Sequence, residues 1–203
     1  MTMSLFEVVK RNLDNNDWKY DVAREGSLIK AGAKGENGSF AVVFDVKEDR
    51  NILVLYVISN VHFPVKNRDK LAVYLTYCNY GMTLGNFEMD MSDGEVRFKN
   101  SVNTTGTQLS EEMVDELLKI SLVVMDRFFA GMIKVSYTDL DPKEAYDQIS
   151  SDSVSSVLQE ALAAALEESV VSAKEEEDEK EKEGDDKDEQ QQPMEEEKAI
   201  AKG

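Results

Sequence analysis

The sequence predicts an α+β fold in which an antiparallel β-sheet, a meander plus a hairpin, packs against helices in the order α-ββββ-α-ββ-α. Three observations carry this. Apolar residues recur at helical spacing near residue 9, near residue 75 and from residue 111 onward. Between the first two stretches lies a run of β-branched and aromatic residues broken by short polar groups, and between the last two the period falls to two around an Asp-Gly pair. No βαβ crossover repeat occurs, so the sheet is read as antiparallel.

The first helix is announced by Ser4 with Glu7 three residues on, a capping box, followed by Phe6, Val9 and Leu13 on one face, and it ends near Asn15. Strands follow at residues 18–22, 28–33, 40–46 and 52–58. Gly32, Gly35 and Gly38 sit between two strands with no Gly-Lys-Ser/Thr after them, so they mark a hairpin turn and not a phosphate loop. Residues 67–80 return to helical spacing with Leu71, Tyr74, Leu75 and Cys78 inward, between Pro64 and a stop at Gly81. A two-residue turn at Asp93-Gly94 then predicts the pairs Ser92–Glu95, Met91–Val96, Asp90–Arg97, Met89–Phe98 and Glu88–Lys99. The long helix is capped by Ser110, carries Glu111 and Glu112 in its first turn, and buries Val114, Leu117, Ser121, Val124, Met125 and Phe128, widened by Ile120 and Phe129. Asp141, Pro142 and Glu144 start a short helix that runs to about residue 149.

The chain has 203 residues and a formal charge of −18. Residues 174–203 hold fourteen acids against six lysines, a local charge of −8, and leave −10 on residues 1–173. Three regions follow: an α+β domain at 1–149, a hinge and amphipathic helix at 150–173, and an acidic tail at 174–203. The tail has no aromatic residue and too little apolar surface to offset ordering entropy, so it is expected to be disordered, a solvating tail or a docking tail for a basic partner. In the middle region Val154, Leu158, Leu162, Leu166 and Val170 recur at every fourth position, a stripe that must be buried against its own domain, a partner or a second copy.

The acidic balance disfavours a general nucleic-acid surface. A lone cysteine and a lone histidine exclude an internal disulfide and a Cys/His zinc set, and no cofactor or metal is implied. The N-terminal stretch lacks a signal core and no apolar run is long enough to span a membrane, so a soluble, cytoplasmic protein is expected. His62 at a strand end lacks a second histidine, Cys78 falls on an inward stripe, and Glu88 and Asp90 have basic residues across the hairpin. No nucleophile with a base, and no pair of carboxylates in different environments, emerges from these residues, so catalytic residues are not expected.

The stretch NYGMTLGNFEMDMSDGEVRFK from residue 79, with SLVVMDRFFAGM at 121–132, resembles the YbjN family. Its pattern has an asparagine ending the second helix, a Gly-x-Phe strand, an Asp-Gly hairpin and a Met-Asp-Arg segment. Here these are Asn79, Gly85 and Phe87, Asp93 and Gly94, and Met125, Asp126 and Arg127. The resemblance covers about residues 4–149 and implies a fold similar to type III secretion chaperones, the label of a bacterial sensory transduction regulator, and no agreed reaction. Asn79 is then expected to bond backbone at a helix-to-strand corner. Asp126 and Arg127, beside Phe128 and Phe129, must reach solvent or pair, and they join Val154, Leu158, Leu162, Leu166 and Val170 as candidate partner-binding residues. The sequence thus points to a non-enzymatic, regulatory or chaperone-like module that binds a partner protein, with a homodimer as a variant. The competing class is an enzyme or small-ligand-binding protein with a pocket between sheet and helix; His62, Asp126 and Arg127 lining one cleft would favour it.

Overall fold

The computed structural model describes residues 3–151. They belong to the first of two units into which the chain divides, Met1–Ser151 and Asp152–Gly203. The stripe from Val154 to Val170 and the acidic tail lie outside the described residues.

Helix α1 (Leu5–Asn15) begins where Ser4 Oγ accepts the Glu7 amide at 3.2 Å. A meander follows: β1 (Tyr20–Arg24), β2 (Leu28–Lys34), β3 (Ser39–Lys47) and β4 (Ile52–Ser59). Helix α2 (Arg68–Asn79), the hairpin β5 (Asn86–Met89) and β6 (Val96–Asn103), and helix α3 (Glu111–Tyr137) complete the predicted order. Ser110 Oγ accepts the Met113 amide at 3.2 Å and Asp141 caps a further helix, α4, over residues 142–151. Every strand pair is antiparallel and the six strands lie in the order β1-β2-β3-β4-β6-β5.

Alternation decides what each sheet face does. Ile29, Val42, Phe44, Leu53, Leu55, Val57 and Phe98 are fully buried on one face, and α1, α2 and α3 supply the residues that cover them. Each such side chain contributes about 1.5–3 kcal/mol of burial. Leu71, Tyr74, Leu75 and Cys78 on α2 and Val114, Leu117, Met125, Phe128 and Phe129 on α3 are buried as the spacing predicts, while Ile120 and Val124 are only half-buried. On the opposite face Val43, Tyr56 and Ile58 stand half-buried beside Lys30, Arg97 and Lys99.

The hairpin register differs from the predicted one by two residues. Phe87 faces Phe98, Glu88 faces Arg97 and Met89 faces Val96. A shift of two keeps each side chain on its face, so the alternation was a sound guide to facing and a poor one to pairing. The turn explains the shift. The Asp90 amide donates to Glu95 O at 2.9 Å and the Gly94 amide to Asp90 O at 2.8 Å, enclosing residues 91–94 in a longer loop. Gly94 has φ +83° but Asp93 does not enter that region, which the two-residue turn would require of both.

Candidate functional site

Helix α2 is the element around which the functional candidates gather. At its first position Arg68 is only 8% exposed, yet it is charged. Its Nε donates to Phe63 O at 3.0 Å, and Nη1 donates to Met91 O at 2.8 Å and Ser92 O at 3.0 Å. One guanidinium thus ties the β4–α2 connection to the β5–β6 loop, where the Phe63 amide also donates to Gly94 O at 2.9 Å. His62 stands at this junction with Nδ1 3.6 Å from Asp93 Oδ2, both side chains more than half exposed. Asp90 is held below the ordinary carboxyl range, first by its hydrogen bond from the Ser92 hydroxyl.

Farther along α2, the Tyr74 hydroxyl donates to Phe128 O on α3 at 3.0 Å, and Cys78 lies beside it. Burial pushes the Cys78 thiol up to about 12, which leaves it un-ionised near neutral pH and a poor nucleophile. At the helix end Asn79 bonds β5 as the resemblance implied. Its Oδ1 accepts the Phe87 amide at 2.7 Å and its Nδ2 donates to Phe87 O at 3.1 Å.

Asp126 and Arg127 turn to different neighbours. The Asp126 carboxylate accepts the amides of Glu36, Asn37 and Gly38 at 3.0, 2.9 and 3.2 Å, and the Asn37 carboxamide at 3.3 Å. It holds the β2–β3 turn, and a Cβ on Gly35 would lie 2.1 Å from its Oδ1. Glycine there is a matter of space. Arg127 lies with its guanidinium carbon 5.1 Å from the centre of the Phe128 ring, and its Nη2 is 3.4 Å from Ile149 O on α4. His62, Asp126 and Arg127 therefore serve three separate places.

Glu88 lies on the open sheet face between two cations, accepting from Arg97 Nε at 2.9 Å and from Lys99 Nζ. Burial works against its charge, but the Lys99 and Arg97 hydrogen bonds outweigh burial and hold the carboxyl below its ordinary value of 4.5. A folded-state value below the unfolded one stabilises above the unfolded value and is lost as pH falls through the folded one. Glu88→Gln is therefore expected to lower stability at neutral pH by roughly 1 kcal/mol and to flatten its fall below about pH 4.5, read from urea midpoints across that range. An unchanged acid slope would count against the triad. Beside it Glu88, Met89, Asp90, Met91, Glu95 and Arg97 line an open cleft of ≈ 410 Å³.

Several functional candidates were missed by sequence reasoning. Nothing in the spacing marks Arg68 as a junction, because its partners are main-chain carbonyls 5, 23 and 24 residues away. The outer side of α2 did carry a signal. Val73 and Tyr77 stand one turn apart on α2, 49% and 38% exposed, and Tyr80 and Leu84 in the chain just after the helix are 88% and 52% exposed. Tyr77 stacks on Tyr146 of α4 with centroids 6.0 Å apart, joining this row to the last described helix. Among the described residues no helix is long and apolar enough to cross a membrane, and no group of three or more His, Cys, Asp or Glu is placed to hold a metal ion.

The family model of YbjN, described as "Putative bacterial sensory transduction regulator", matches residues 6–134, from the first turn of α1 to the last turn of α3. The chain belongs to the YbjN family. The match takes in Arg68, Asn79, the hairpin and the Met125-Asp126-Arg127 segment, and it ends before α4. The crystal structure of YbjN from E. coli, given as "a putative transcription regulator", is similar with a TM-score of 0.49 at 12% identity, over 61% of this chain and 87% of that one. A chain of the ExsC-ExsE complex is similar with a TM-score of 0.42 at 14% identity, over 63% of this chain and 96% of that one. No curated protein matches the chain.

Proposed function

We propose that this YbjN chain is a non-enzymatic regulatory module, chaperone-like in its action, that works in the cytoplasm by holding a partner protein. The observation that carries the reading is the row Val73, Tyr77, Tyr80 and Leu84, large apolar side chains held in solvent along α2 and the chain just after it. Water contact at four such positions is costly to keep unless something covers them. The prominent polar groups fit the same reading: Arg68, Asn79 and Asp126 spend their hydrogen bonds on the main chain of this domain, and the Cys78 thiol is buried and un-ionised.

In this reading Asp126 and Arg127 act through what they hold, Asp126 the β2–β3 turn and Arg127 the chain at Ile149. The stripe Val154, Leu158, Leu162, Leu166 and Val170 is the second partner-binding element, and a homodimer is the variant in which the partner is another copy. The test is quantitative crosslinked capture with the full chain from its native cells. A stoichiometric partner is expected for wild type, lost in Val73→Ser/Tyr80→Ser/Leu84→Ser or in Leu158→Asp/Leu162→Asp while melting of the described domain is unchanged. A wild-type chain with no stoichiometric partner, or a partner indifferent to both sets of substitutions, overturns the reading.

A further inference from the structure

A six-stranded open sheet has two edges, and each exposes main-chain groups that pair with another strand unless something prevents it. The edge at β1 carries the usual deterrents. It is five residues long, four of them exposed; Asp21 and Arg24 flank Val22, and the pairing with β2 skips Ala23 in a bulge. The edge at β5 is shorter still, four residues with one charge, Glu88, but it has no bulge and its strand is less exposed. Its sequence, Asn86-Phe87-Glu88-Met89, has two large apolar residues in four, no lysine or proline, and an unbroken register with β6.

What β5 has besides is Asn79. Successive residues of a strand direct their amide and carbonyl to opposite sides, so a neighbouring strand would take both groups of Phe87, skip Glu88, and take both groups of Met89. The Asn79 carboxamide takes both groups of Phe87, accepting at 2.7 Å and donating at 3.1 Å, with the donor and acceptor of a peptide unit. Phe87 is one of the two residues of β5 whose main chain faces outward, and its side chain is buried against Phe98 and Phe128 with centroids 5.1 and 5.9 Å away, so its main chain cannot rotate to find another partner.

We propose that Asn79 is the guard of the β5 edge: its side chain stands in for a neighbouring strand and prevents a second copy of the chain from pairing there. The sheet of this protein then offers partners side chains and not main chain at that edge. The guard does not depend on the partner-holding reading above, and its test uses purified protein alone, so either can fail while the other stands.

The test compares the full-length wild type with Asn79→Ala by amide hydrogen exchange and sedimentation velocity. The Phe87 amide is expected to be protected in the wild type and to exchange about tenfold faster in Asn79→Ala, the consequence of one lost hydrogen bond. Asn79→Ala is also expected to self-associate with rising concentration beyond the wild type. Adding Met89→Pro, which puts an imino ring on the outward side of β5 without removing a bond to β6, returns it to the wild-type state. Asn12→Ala, which removes hydrogen bonds to Glu111 O and Asp115 at the other end of the domain, separates edge pairing from plain loss of stability. A Phe87 amide equally fast in wild type and variant overturns the proposal. So does an Asn79→Ala chain with the wild-type association state, association that survives Met89→Pro, or the same association in Asn12→Ala.

Discussion

Replacing Arg68 by methionine is expected to cost the fold about 3 kcal/mol or more and to lower the melting temperature by roughly 6–12 °C. The side chain is buried, so its volume is kept by methionine while its charge and three hydrogen bonds are removed. What remains is Phe63 O, Met91 O and Ser92 O in two loops that no longer share a donor. Stripping a charged donor from a buried acceptor costs about 1.5–3 kcal/mol; Phe63 O is such an acceptor, while Met91 O and Ser92 O are part-buried, so water returns more of their share. Arg68→Lys separates charge from geometry. A lysine ammonium is a point donor on a flexible stem, whereas the guanidinium bonds Phe63 O through Nε and the hairpin carbonyls through Nη1 at once. Lysine is therefore expected to recover less than half of the loss. Urea titrations followed by Trp18 fluorescence measure both, and a change under about 1 kcal/mol for methionine would show that the junction holds without its arginine.

That junction also shows where reading the sequence stopped. Caps were legible because they are local: Ser4 and Ser110 each bond an amide three residues on. Strand facing was legible because period two survives any even shift. Pairing was not, because the β5–β6 loop is set by Phe63 and Arg68, whose bonds reach across 23 to 31 residues and select a loop that Asp93-Gly94 alone would not form. Asp126 was legible as a charged residue that had to be satisfied, but its acceptors' partners lie 88 to 90 residues earlier, in a turn whose glycine spacing had been read only as a hairpin. Asn79 lies between these cases. The resemblance implies a corner bond, and the fold sends both bonds to one residue of an edge strand. Val73 and Tyr77, the part of the exposed row that lies on α2, were present in the spacing all along. They went unread because the inward stripe of the same helix accounted for the periodicity.

Gly131→Ala is expected to destabilise, against the sign that helix propensity assigns. Glycine inside an α-helix costs about 1 kcal/mol relative to alanine, so the substitution in α3 would stabilise if nothing stood against it. Tyr74 does. A Cβ on Gly131 would lie 2.0 Å from the Tyr74 hydroxyl oxygen, 2.5 Å from Cζ and 3.0 Å from Cε2. The ring is fully buried among Leu71, Leu75, Cys78 and the α3 phenylalanines, and its hydroxyl is fixed on Phe128 O, so it has no free direction in which to yield. Overpacking of this kind costs typically 1–3 kcal/mol, and the net expectation is a loss of about 2 kcal/mol. Two further substitutions make the sign diagnostic. Gly32→Ala in β2, where a Cβ meets nothing within 4 Å, is expected to be neutral or stabilising by a few tenths of a kcal/mol. Tyr74→Phe is not expected to relieve Gly131→Ala, because Cζ remains in the way, whereas Tyr74→Leu in the same background is expected to cost less than it does alone, a coupling that only a shared contact produces. Gains in melting temperature for Gly131→Ala, or additive losses with Tyr74→Leu, would mean that α2 and α3 do not meet at this notch.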